Sequence, residues 1–86
     1  MVAVSATFLD GESAQPYKVL VDLLEAGLHI SASGVAAEWP YDEIRALPQE
    51  AGPRTVVLYP EGRPLVRLTV HDADFAKALK SRARHL

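Results

Sequence analysis

The sequence predicts a mainly β fold of about seven short antiparallel strands, wrapped into a small barrel or two-sheet roll and closed by one C-terminal helix. Two patterns carry that prediction. Through the first seventy or so residues, apolar and polar side chains alternate in short runs, and turn signals recur roughly every eight residues, as in a meander. Only the last stretch, Asp72–Leu86, has a helical period: Phe75, Leu79, Ala83 and Leu86 recur at steps of four and three. A lone amphipathic helix after a run of strands needs a surface to cover, and the open end or face of the β structure is the one available.

In chain order, Val4, Ala6 and Phe8 alternate with Ser5 and Thr7 as a half-buried strand, with Phe8 assigned to the core. Asp10-Gly11 is a turn signal. After Pro16, Tyr17, Val19, Val21 and Leu23 share one face, while Lys18, Leu20, Asp22 and Leu24 make the other face mixed. Glu25-Ala26-Gly27 turns the chain, Leu28, Ile30 and Ala32 alternate with His29, Ser31 and Ser33, and Ser33-Gly34 turns again. Ala37 and Trp39 then face one way and Glu38 the other, and Pro40 ends regular pairing because it donates no hydrogen bond.

Tyr41–Leu47 reads as a strand, with a single helical turn as the alternative. Residues 48–53 (PQEAGP) form a loop. Thr55–Tyr59 is apolar on both faces, which predicts a central strand. Pro60-Glu61-Gly62 turns, and Val66, Leu68 and Val70 point inward while Arg67, Thr69 and His71 point out. The helix is expected over about residues 72–85, with Asp72 as N-cap and Phe75 and Leu79 as its core contacts.

At 86 residues the chain supports one domain, 1–86, and its 49% hydrophobic content supports a packed core rather than disorder. It has no cysteine, which excludes disulfides, thiol chemistry and cysteine-bound metal, and fits a reducing compartment. The first residues lack the basic start and long apolar run of a signal peptide. The longest apolar stretch, Val19–Leu24, is interrupted by Asp22 and too short to span a membrane. The expected location is the cytoplasm, or the cytoplasmic face of the inner membrane if the domain belongs to a longer chain.

Net charge is −2 but unevenly distributed. Residues 1–51 hold eight acids against two bases, −6, and residues 52–86 hold seven bases against three acids, +4. Solvated faces account for such a split, as do intramolecular pairing and a basic end that meets an acidic surface.

Little in the chain spells out chemistry. His29 and His71 fall on outward faces of different strands, His85 is near the end, and no HExxH or other close metal spacing is present. There is no G-x-S-x-G elbow and no Gly-rich phosphate loop opening a helix. Asp42 and Glu43 are adjacent and point apart in a strand. Trp39-Pro40 is the most distinctive dipeptide and reads as a core tryptophan at a strand end, with a ligand-facing aromatic as the alternative. The strands lack aromatics interleaved with Lys or Arg, which argues against nucleic-acid binding. These residues predict no enzyme activity, no metal and no cofactor.

Three clusters in this order resemble a known family. They are Phe8-Leu9-Asp10-Gly11-Glu12-Ser13-Ala14; Leu28-His29-Ile30 followed by Trp39-Pro40-Tyr41 and Ile44-Arg45; and Pro53-Arg54 followed by Leu58-Tyr59-Pro60-Glu61-Gly62. Together they are similar to the N-terminal domain of unknown function of bacterial membrane-anchored zinc metallopeptidases of the HtpX-like kind. The resemblance covers almost the whole chain and implies a pleckstrin-homology-like fold, a seven-stranded antiparallel roll capped by a C-terminal helix. It implies a non-catalytic interaction or positioning module beside the peptidase, since the family's HExxH is not in these residues.

The implied partners are protein, either the parent's own peptidase domain or peptide substrates. An anionic membrane surface is a further expected partner, met by the basic tail Lys80, Arg82 and Arg84. Specific inositol-phosphate binding is not expected, because the loop that would hold the headgroup, residues 10–16, has two acids and no base. The alternative to a protease accessory is a free-standing small adaptor or dimeric binding protein.

Overall fold

The computed structural model describes residues 3–12, 15–32, 35–47, 52 and 54–83. Seven strands run in chain order: β1 (Val4–Leu9), β2 (Tyr17–Leu23), β3 (Gly27–Ala32), β4 (Val35–Pro40), β5 (Ile44–Ala46), β6 (Val56–Pro60) and β7 (Arg67–Val70). One helix, α1 (Ala73–Lys80), follows. The strands pair antiparallel in the order β4-β3-β2-β1-β7-β6-β5, a nearly closed, barrel-like sheet. The two ends of that order, β4 and β5, are consecutive in the chain and joined only by a 3₁₀ turn, Tyr41–Glu43.

Alternation decides which face is core. Val19, Val21 and Leu23 of β2, Leu28 and Ile30 of β3, and Leu68 and Val70 of β7 are all buried, and their neighbours in sequence point out. Phe8 is only half-buried but packs on this core, its ring 6.5 Å from that of buried Trp39. β6 is buried on both faces as expected, yet it lies next to the last strand of the order rather than at mid-sheet. Its outward Val57 is covered as well.

The segment from Tyr41 is neither all strand nor all turn. Pro40, at φ −56° and ψ 142°, leads into the 3₁₀ turn, and the extended Ile44 starts β5. The Tyr41 hydroxyl donates to the Leu24 carbonyl, which ties this corner to the β2–β3 hairpin. The Glu61 N–H donates to the Glu43 carbonyl at 2.6 Å, tying it to the end of β6.

The Asp72 carboxylate accepts from the Phe75 N–H at 2.8 Å, the expected N-cap. Phe75, Leu79 and Ala83 are buried in the core cluster, so the apolar stripe docks as expected. The regular helix, however, ends at Lys80 and not near residue 85. The Arg82 N–H turns back to the Leu79 carbonyl at 3.0 Å, a tightened 3₁₀ closure, and the Ser81 hydroxyl takes the Ala78 carbonyl at 2.7 Å. Residues 84–86, including Arg84, His85 and Leu86, lie outside the described residues, as do Ser13, Ala14, Ser33, Gly34 and Pro53.

Gly27 is required by close approach. A Cβ there would stand 2.4 Å from the Trp39 carbonyl oxygen and 2.9 Å from its carbon. Gly27→Ala is therefore expected to displace the β3–β4 ladder and lower the melting temperature.

Burying Phe75 and Leu79 contributes roughly 1.5–3 kcal/mol each, against roughly 0.3–0.5 kcal/mol for an exposed helical ion pair. Leu79→Asp should accordingly lower the thermal midpoint sharply, and an unchanged midpoint would refute a docked helix. Burial pushes the Tyr41 phenol above its ordinary value; Arg82 opposes the shift, and Asp22 and Glu38 add to it. The neutral phenol is thus favoured by folding, and its contribution is present below the unfolded value near 10 and lost as pH rises through the higher folded value. Tyr41→Phe should cost about 0.5–1.5 kcal/mol at neutral pH. The stability difference between wild type and this variant, measured by urea unfolding, should shrink above pH 10.

Candidate functional site

Strand β4 ends the sheet, and its hydrogen-bond parity can be derived from its neighbours. At the β2–β3 hairpin the Leu24 N–H donates to the Gly27 carbonyl at 2.9 Å. Backbone groups of Gly27, His29 and Ser31 therefore face β2, and those of Leu28, Ile30 and Ala32 face β4. On β4, the partners of the latter are Trp39, Ala37 and Val35. The N–H and carbonyl groups of Ala36 and Glu38 consequently point away from the sheet. Pro40 fits this parity, because the N–H it lacks would also have pointed away. Among the described residues, no hydrogen bond reaches the outward groups of Ala36 or Glu38. The other edge, β5, is only three residues long.

Two rows of charge lie on the outer surface. Across β2, β3 and β4, Asp22, His29 and Glu38 stand in register. Across β5, β6 and β7, Arg45 pairs with Tyr59, and the Arg67 guanidinium lies over the Tyr59 ring at 5.7 Å from its centre.

Both arginines are braced in the same way. Nη1 of Arg45 donates to the carbonyls of Asp42 (2.8 Å) and Ile44 (3.2 Å). Nη1 of Arg67 donates to those of Pro64 and Val66, the latter at 2.9 Å. Nη2 of Arg45 also meets Glu61 at 3.2 Å. A shallow open depression of about 400 Å³, lined by Ser5, Lys18, Leu20 and Ser31, lies on the outer surface around half-exposed Leu20.

The residues singled out from sequence do not converge on one site. Trp39 is 6% exposed, so it serves the core and does not face a ligand. Lys80 and Arg82 are both exposed, the first in the last turn of α1 and the second beyond its end. His71 shares a 2.8 Å hydrogen bond with the Thr55 hydroxyl. Among the described residues, no group of three or more His, Asp or Glu is arranged to hold a metal, and no helix is long and apolar enough to cross a membrane. Sequence reading missed the Arg45–Tyr59–Arg67 row. The only signal available was that all three occupy outward positions of strands, and pairing register was needed to align them.

No curated protein and no solved structure matches the chain. The model of a domain of unknown function, DUF7092, matches residues 3–83, which takes in all seven strands and the helix. The chain is a member of the DUF7092 family.

Proposed function

We propose that this domain is a non-catalytic interaction module that takes an extended protein segment along the free edge of β4. The observation that carries this reading is the pair of outward, unbonded backbone positions at Ala36 and Glu38. An added strand gains main-chain hydrogen bonds from such an edge, and side-chain alternation supplies selectivity. Natural sheets usually blunt such edges with charge or proline, and here Glu38 and Pro40 do so only in part.

The similarity of the three sequence clusters to the N-terminal domain of HtpX-like peptidases supports a parent protein of that kind. The module would then position the protease or its protein substrates, and the pleckstrin-homology-like roll would be its scaffold. Contact with anionic lipid, at about 1 kcal/mol per basic residue, would rest on the basic tail Lys80, Arg82 and Arg84. A reading frame that continues into about 20 apolar residues and then HExxH separates this parent from a free-standing adaptor.

Proline substitution tests the edge. Ala36→Pro removes an outward N–H and should leave the melting temperature nearly unchanged, whereas Ala37→Pro removes a ladder bond to β3 and should lower it. Peptides selected from a random displayed library on the wild type should bind the Ala36→Pro variant roughly tenfold or more weakly, a loss of about 1.4 kcal/mol. Equal binding to both forms would rule out strand addition at β4. Turnover of generic peptides by this chain in the presence of zinc would overturn the non-catalytic assignment.

A further inference from the structure

We propose that a second copy of this chain docks on the Arg45–Tyr59–Arg67 face through its own Asp22–His29–Glu38 face, giving head-to-tail self-association. Each row runs across three adjacent strands, and in each the two charges sit two strands apart. Neighbouring strands are spaced about 4.8 Å, so both charge pairs have a backbone separation of about 9–10 Å. Acid–imidazole–acid on one face therefore matches guanidinium–phenol–guanidinium on the other in sign, order and spacing.

In the basic row a carboxylate already meets Arg45. Glu61 meets Arg45 at 3.2 Å with its side chain 60% exposed, so it is easily exchanged for a carboxylate from outside. The guanidiniums are pre-positioned, each by two backbone carbonyls, and lose little freedom on binding. Among the described residues, none forms an ion pair or hydrogen bond with the Asp22 or Glu38 side chain.

The two faces differ, so the contact is heterologous and each copy leaves one of each kind open. A standard interface covers about 800 Å² per partner, roughly a seventh of this domain's 5386 Å² surface. A three-strand face offers less, which places the association in the weak, salt-sensitive class.

Sedimentation velocity on the wild-type chain, in a concentration series up to about 1 mM, tests this. The weight-average coefficient should rise with concentration at about 50 mM salt and stop rising at about 500 mM. D22N/E38Q and R45Q/R67Q should each stay monomeric, yet form a one-to-one complex when mixed, because one keeps the basic face and the other the acidic face. If R45Q/R67Q is unfolded by circular dichroism, fluorescent D22N/E38Q titrated with wild type gives the same reading, and it should bind the wild type's acidic face. Ala36→Pro should self-associate like wild type, which separates this contact from strand addition at β4. A wild type that remains monomeric throughout at low salt, or a D22N/E38Q variant that self-associates as wild type does, would overturn the proposal. So would loss of association in Ala36→Pro.

Discussion

The whole structure depends on the docking of Phe75, Leu79 and Ala83 against the inward layer of the sheet. Strands hold one another through ladders, but α1 shares no ladder with them and is held by apolar contact. The same contact supplies the sheet with bulk it lacks. Among the described residues, inward positions carry mostly Val, Leu, Ile and Ala, with Phe8 and Trp39 as the only strand aromatics near the core. An eight-residue helix capped by Asp72 is too short to stand alone. Its formation and its docking are therefore one event.

Around this core the sheet has two different surfaces. Its inner face is uniform and apolar, and no polar or charged residue among those described is buried. Its outer face is patterned by strand register into an acidic row and a basic row, and the arginines of the basic row are braced by backbone carbonyls. Between the ends of the sheet the seam is bridged by the Tyr41–Glu43 turn, fastened to Leu24 on one side and to Glu61 on the other. The polar chemistry of the molecule thus lies on its outside and along its seam, where partners can reach it.

Much of this architecture was legible because local and global signals agree. The alternation of Val19, Val21 and Leu23 and of Val66, Leu68 and Val70 identified inward faces that the structure buries. Asp72 and the Phe75–Leu79 spacing identified a capped, docked helix. Its end was not legible, because the apolar period continues to Ala83 and Leu86 while Ser81 and Arg82 tighten the backbone into 3₁₀ geometry. The corner after Pro40 was ambiguous because YDEIRAL satisfies both a turn and a strand, and the chain uses it as both. The charged rows were invisible for a different reason. Asp22, His29 and Glu38, like Arg45, Tyr59 and Arg67, are far apart in sequence, and only pairing register brings them side by side.

The first strand lies in the middle of the sheet, between β2 and β7. Its partner Val70 comes 64 positions after Ala6, and the helix that seals the core comes later still. During synthesis, β1 through β4 emerge as an unclosed meander with one flank of β1 unsatisfied. Folding of the domain must therefore await the final third of its chain on the ribosome, and until then the nascent meander leaves apolar surface and an unpaired strand flank open to water.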